Sequence, residues 1–195
     1  RKGTTAGSLS QGIQNYKKNM ESPWGKLFYQ VVWDQLGTVQ GKRILDFGSG
    51  FGVTADHYGA GNQVTALEPN EEMVQMRFCS NHYEQIVGGG EQLVRQPDDS
   101  YDLVLCHNVL EYVQNREAVF NELLRVCKLG GVLSLVKHNR MGKILQKAVF
   151  EYAVEDTLRL LEHEDVDSVS FGRIHEYETQ ELLSYAEDRV ELTQC

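Results

Sequence analysis

Residues 43–52 read Arg-Ile-Leu-Asp-Phe-Gly-Ser-Gly-Phe-Gly, an apolar run carrying one acid, Asp46, that leads into glycines at alternate positions. Glycine lets the backbone press close to a ligand, and a helix opening after such a turn presents unpaired N–H donors. Gly48, Ser49 and Gly50 are therefore candidates to hold a polar ligand above the run. A second acid, Glu68, lies twenty positions after Gly48 and is followed by Pro69. An acid at that point can accept hydrogen bonds from ribose hydroxyls. The spacing is not that of a dinucleotide fingerprint, because Gly-x-Gly-x-x-Gly would need glycine where the chain has Val53. Asp46 would repel a pyrophosphate and suits a ligand with an ammonium group. A cationic nucleoside fits these residues better.

The elements that must position them follow from hydrophobic rhythm. Short apolar runs at Arg43–Phe47, Gln63–Leu67, Tyr83–Val87, Tyr101–Cys106 and Val132–Lys137 alternate with helix-like stretches such as Met73–Cys79 and Glu117–Val126. Parallel strands need long crossovers, so this alternation predicts an α/β fold with a doubly wound, mainly parallel sheet. Gly130-Gly131 is expected to end the helix near Lys128 and open the fifth strand. Ahead of the sheet, bulky groups at helical spacing from Ile13 to Leu36, broken at Ser22-Pro23, predict an N-terminal cap of two helices.

The expected organisation is a flexible end over 1–12 and a single domain over 13–195. Within it, 13–40 form the helical cap, 41–139 the ligand-binding core and 140–178 a helical insert that includes the acidic run Glu162–Asp167. Residues 179–195 supply a helix, Thr179–Ala186 with Thr179 in its cap, and a sixth strand, Arg189–Thr193.

The chain of 195 residues carries 19 Lys and Arg against 28 Asp and Glu, a net charge of -9. That leaves no global basic field for a phosphate backbone. No apolar stretch approaches the ~20 residues that span a bilayer, so no membrane role is expected. The four cysteines show no CxxC spacing and read as reduced thiols, no leader is legible near Arg1, and a cytoplasmic location is the expectation. No pair of histidines has metal-ligand spacing, and no metal site is expected.

With these residues in order, the chain resembles the class I S-adenosylmethionine-dependent methyltransferases, whose first motif is a strand ending in D-x-G-x-G-x-G. Gly88-Gly89-Gly90-Glu91-Gln92-Leu93 falls where that family has G-D-A-E-x-L, with Gly89 in place of the acid. Tyr101–Leu105 followed by His107-Asn108-Val109-Leu110-Glu111-Tyr112 resembles the fourth strand and the segment under the methionine. Residues 123–133, LLRVCKLGGVL, are similar to L-x-R-V-L-K-P-G-G-x-L. A closer likeness, carried by Asn19, Gly25, Trp33, the His107–Tyr112 segment and Gly130–Leu135, is to the bacterial methyltransferases that esterify the carboxymethoxy group of tRNA wobble uridine.

The resemblance implies a Rossmann-like fold and S-adenosylmethionine as cofactor, with S-adenosylhomocysteine as product. It places Asp46, Gly48, Ser49, Gly50, Glu68, Pro69, Gly90, Glu91 and His107 around the cofactor. His107 has two readings, a wall beside the methionine and a catalytic base. Tyr16 and Trp24 are candidates to close over the sulfonium as cation–π partners, and His138 and Arg140, beyond the fifth strand, to hold an anionic acceptor. The acceptor is expected to be a small molecule methylated on oxygen or nitrogen. The alternatives are a tRNA, disfavoured by the acidic run, and a cofactor-binding protein without transfer activity. Because the family's sheet has seven strands, the natural chain is expected to continue past Cys195; oligomeric state is not legible.

Overall fold

In the computed structural model, which describes residues 6–162, 167–168, 172–173, 175 and 177–193, Ser22 separates helix α1 (Ala6–Glu21) from α2 (Pro23–Leu36). The Ser22 hydroxyl accepts from Gly25 N at 3.2 Å, and Pro23 occupies the first turn, where its missing N–H costs nothing. Helix α1 starts at Ala6, earlier than the expected Ile13. The stretch 6–12 holds no proline, and Leu9 continues the helical spacing of Ile13, Tyr16 and Met20.

The sheet alternates as expected: β1 (Arg43–Phe47), α3 (Val53–Gly59), β2 (Gln63–Glu68), α4 (Glu71–Gln75), β3 (Glu84–Val87), α5 (Gly90–Leu93), β4 (Tyr101–His107), α6 (Arg116–Val126) and β5 (Cys127–Val136). All five strands are parallel in the order β3-β2-β1-β4-β5, a doubly wound α/β sheet. Its period of two divides β1 between the faces. Leu45 and Phe47 pack with Phe120, Leu123 and Val126 of α6, while Ile44 packs with Ala55 and Tyr58 of α3 and with Trp33 of α2. Leu123 is fully buried, and Leu123→Ala would cost ~2–5 kcal/mol. Asp46 lies in this apolar strand with 4% exposure.

Several boundaries differ from expectation. The stretch Met73–Cys79 is helical only to Gln75: the Asn70 side chain caps the start of α4 by accepting from Met73 N, and beyond its end Phe78 N donates to the Phe51 carbonyl at 2.8 Å instead of to the helix. The Gly130-Gly131 pair does not open β5; it lies within it. The register slips from Tyr101↔Cys127 to Leu103↔Val132, leaving Leu129 on a fully exposed bulge with Gly130 at φ 76°.

Beyond the sheet, α7 (Arg140–Leu145) runs into a π-helical turn (Gln146–Phe150), followed by α8 (Val154–Leu161), a two-residue ladder of β6 (Asp167–Ser168) with β7 (Gly172–Arg173), and α9 (Thr179–Ala186). Most of the acidic run expected at 162–167 lies outside the described residues. Thr179 is the first residue of α9, and the cap is Glu178 with no side-chain bond. The sixth strand expected at Arg189–Thr193 is absent. Glu187 turns the chain at φ 53°, and the Arg189 guanidinium donates to the carbonyls of Ala186 and Tyr185 and to Asn121 Oδ1, which ties the segment to α9 and α6 instead of the sheet edge. No described helix is long and apolar enough to cross a membrane.

Candidate functional site

The C-terminal ends of β1 and β2 form one hydrogen-bonded unit. Gly48 N and Ser49 N both donate to the Leu67 carbonyl, at 2.9 and 3.0 Å, which folds the first turn over β2. Gly48 adopts φ 76°, and a Cβ there would sit 2.3 Å from Val109 Cγ2; both facts require glycine. Glu68, 7% exposed, spans the two turns. One carboxylate oxygen accepts from Gly50 N at 2.8 Å and the other from Asn70 N at 2.8 Å.

Burial raises the Glu68 carboxyl, opposed by those two N–H donors. Asp46 is pushed up to about 7, first by burial and then by the negative Glu68 nearby. Asp46 Oδ2 is buried with no hydrogen-bond partner. Two acids thus share one buried strand end, and among the described residues no Lys or Arg is bonded to either. Such a pair is balanced when a cation binds beside it.

The third turn closes against the second. Gly88 N donates to the Glu68 carbonyl at 3.0 Å, and a Cβ on Gly89 would lie 3.9 Å from Pro69 Cβ. Gly90 opens α5. Glu91 is exposed and folds back to accept from Gly89 N at 2.9 Å, which holds its carboxyl below the usual range. These positions thus assemble beside Glu68.

His107, at the end of β4, contacts Ser134 Oγ through Nε2 at 2.9 Å. Burial pushes its pKa down to about 4, so the ring is neutral near pH 7. A neutral, engaged imidazole with so weak a lone pair forms a wall more readily than it takes a proton.

A cavity of about 520 Å³ opens between the helical cap and the segment after β4, lined by Tyr16, Trp24, Phe28, Tyr29, Tyr112 and His138 with Asn19 and Asn108 among others. Tyr16 stacks on the fully buried Phe51 of the glycine turn, with ring centroids 5.8 Å apart, and shares a hydrogen bond with Tyr29. Burial raises both phenols, with Glu68 acting on Tyr16 and Asp46 on Tyr29, so this cavity abuts the two acids. Trp24 stands 79% exposed at its mouth.

Arg140 does not line this cavity. It borders a neighbouring one of about 590 Å³ with Lys137 and Tyr177, and its guanidinium donates to the Leu160 carbonyl at the end of α8. His138 lines both. Its backbone N and its Nδ1 lie 2.8 and 3.1 Å from the same oxygen of Glu111, which is 1% exposed.

Sequence reasoning did not single out Tyr29, Asn108, Glu111 or Ser134 as site residues. Tyr29 has no signal beyond helical spacing. Asn108 was findable in principle, since asparagine directly after a strand is among the few side chains that accept its φ of 56°.

Residues 45–135 match the family described as methyltransferase domain. Among curated proteins, thiol S-methyltransferase TMT1B of Rattus norvegicus is 33% identical over 151 residues, covering 74% of this chain and 61% of the relative. The tRNA 5-carboxymethoxyuridine methyltransferase of Escherichia coli is 29% identical over 145 residues, covering 66% of this chain and 56% of its own length. The chain therefore spans less than two thirds of these relatives. The closer likeness expected to the tRNA enzymes does not hold, because the thiol enzyme matches more of the chain at higher identity. A solved S-adenosylmethionine-dependent methyltransferase from Methanosarcina mazei superposes with a TM-score of 0.58 at 20% identity, covering 79% of this chain and 81% of that one, which shows the shared fold.

Proposed function

We propose that the chain, whose residues 45–135 match a methyltransferase domain, moves the methyl group of S-adenosylmethionine onto a small, largely apolar thiol. The observation that carries this reading is the aromatic cavity abutting the Asp46–Glu68 strand ends, whose lining among the described residues contains neither Lys nor Arg. A phosphate-rich acceptor needs several such cations, and a small apolar one needs none. The names of the relatives support sulfur in place of the oxygen or nitrogen expected from sequence.

The residues present fit the cofactor. Glu68 has acceptor capacity left for ribose hydroxyls, Asp46 has an unsatisfied oxygen for a positively charged group, and Gly48–Gly50 allow the backbone to approach. Pro69, Gly90 and Glu91 border the same end, and His107 walls it. When bound, S-adenosylmethionine supplies a methyl group already activated by the sulfonium to which it is attached. The chain's part is placement: Tyr16 and Tyr29 remain neutral, offer hydroxyls beside the acids, and together with Met20 and Phe28 exclude water. Holding an acceptor at near-attack distance is worth up to ~7–11 kcal/mol of the barrier.

The test is label transfer. Protein incubated with methyl-labelled S-adenosylmethionine and, in separate reactions, an alkyl thiol, a carboxylate, an amine and bulk tRNA is expected to label the thiol as a thioether. Label in another acceptor but not the thiol would overturn the sulfur assignment, and label in none would overturn the enzymatic reading.

A further inference from the structure

We propose that His138 is the general base that deprotonates the acceptor and that Glu111 is the residue positioning it; this rests on the methyltransferase reading above and adds the group that handles the proton. The starting point is topology. β4 and β5 are adjacent and parallel, with His107 opposite Val136, so the segments that follow them leave the same sheet edge side by side. Glu111 stands four residues past β4 and His138 two past β5. Asn139 then caps α7 by accepting from Gly142 N at 3.0 Å, which fixes the backbone next to His138.

The pair is unequal in exposure. The His138 side chain is 43% exposed and lines the aromatic cavity, whereas the Glu111 side chain behind it is 2% exposed. One Glu111 oxygen takes both contacts from His138, and the other is buried without a partner. Burial raises the Glu111 carboxyl, but the contacts from the His138 ring and backbone outweigh it, so the group is held ionised. A carboxylate accepting at Nδ1 selects the tautomer with the proton on Nδ1, which leaves the Nε2 lone pair free to accept one. Nε2 has no partner among the described residues.

The surrounding charges reinforce this. Lys137 is turned to the Tyr177 carbonyl at 2.6 Å and toward Glu178 at 3.8 Å, and Arg140 to the Leu160 carbonyl. Burial raises the Cys106 thiol and the Tyr177 phenol, so both are neutral beside Glu111. Tyr112 meets the His138 ring edge-on at 6.4 Å. Arg116 is turned to the Leu110 carbonyl and the Tyr177 ring, so among the described residues the His138 ring is the ionisable side chain within hydrogen-bond distance of the Glu111 carboxylate. The arrangement is that of a base held in one tautomer and orientation by a buried carboxylate. His107, neutral and engaged by Ser134, does not compete for this role.

The step balances as follows. His138 Nε2 takes the acceptor's S–H proton. The sulfur electron pair forms the new bond to the methyl carbon while the bond from that carbon to the cofactor's sulfonium breaks, its pair staying on that sulfur as S-adenosylhomocysteine. The imidazolium then returns its proton to solvent.

A base matters in proportion to how firmly the acceptor holds its proton, and a merely structural pair does not. His138→Gln and Glu111→Gln are therefore assayed with 2-mercaptoethanol, un-ionised at neutral pH, and with 4-nitrothiophenol, already a thiolate. For His138→Gln, kcat/KM is expected to fall ~10²–10⁴-fold with the alkyl thiol and at least tenfold less with the aryl thiol, and Glu111→Gln shows the same pattern at smaller size. Equal losses on both thiols would overturn the proposal. Wild-type transfer to neither thiol would contradict the sulfur reading itself. The dyad is then decided by 15N NMR of the wild-type imidazole, where a proton on Nδ1, lost from that position in Glu111→Gln, is expected and a proton on Nε2 overturns it.

Discussion

The two halves of the site are held together by opposite means. At the proposed cofactor side the turns after β1 and β2 are fixed through their backbone N–H groups: Gly48 and Ser49 donate to the Leu67 carbonyl, and Gly50 and Asn70 to the Glu68 carboxylate. On the side of the aromatic cavity the walls are joined by side chains from different elements, Tyr16 of α1 with Tyr29 of α2 and His138 with Glu111. The positive φ at Gly48 and Gly50 leaves the first turn little room for other residue types, whereas a cavity built from side chains can be reshaped one residue at a time. The fold thus pairs turns set by backbone geometry with a cavity set by side chains.

The sharpest way to break this contrast is Asp46→Asn. The Asp46 carboxyl sits at about 7 in the folded chain against an ordinary value of 3.8, so the folded state holds an extra proton in between. By linkage, stability falls as pH rises from about 4 to about 7, and the deficit is complete above that. Removing the charge is expected to stabilise the cofactor-free protein at pH 8 by on the order of 1–3 kcal/mol, raising Tm by several degrees, with the gain gone by pH 4. The same variant is expected to bind S-adenosylmethionine at least tenfold more weakly. Thermal scans across pH with calorimetry check both. A variant neither more stable nor weaker in binding would mean that the acid pair is not poised for a cation.

A smaller effect is expected across the divide. Trp24 stands at the mouth of the acceptor cavity, 79% exposed, and makes no bond to the cofactor turns. Trp24→Ala is expected to raise the acceptor KM a few-fold and to leave the cofactor Kd within twofold, as read by steady-state kinetics and titration. A matching loss of cofactor affinity would join the two halves and spoil the comparison.

The same contrast explains what the sequence disclosed. The β1 turn was legible because its requirements are local: a strand, an acid and glycines where φ is positive. The Pro23 break and the five-strand alternation were legible for the same reason. Arg189–Thr193 alternates like a strand, yet Arg189 anchors it to α9, a long-range bond that no periodicity encodes. The bulge at Leu129 depends on pairing with β4. His138 was named from its place after a strand, but Glu111 was not, because its meaning comes from burial against a residue 27 positions away. Arg140 was named from the same place beyond the strand; its guanidinium donates to the Leu160 carbonyl at the end of α8, a long-range bond that its position does not disclose.

The central claim is that Glu68 and its turns hold the cofactor, and calorimetric titration of S-adenosylhomocysteine tests it most directly. Wild type, Glu68→Ala and Glu68→Gln are compared, the last keeping an acceptor oxygen and the side-chain shape, with circular dichroism confirming that each is folded. The expected result is binding by the wild type and a dissociation constant raised ~10–100-fold in Glu68→Ala and less in Glu68→Gln, from the loss of charge-assisted hydrogen bonds worth ~1.5–3 kcal/mol each. Equal affinity in all three would contradict it and remove the β2 acid from the cofactor site.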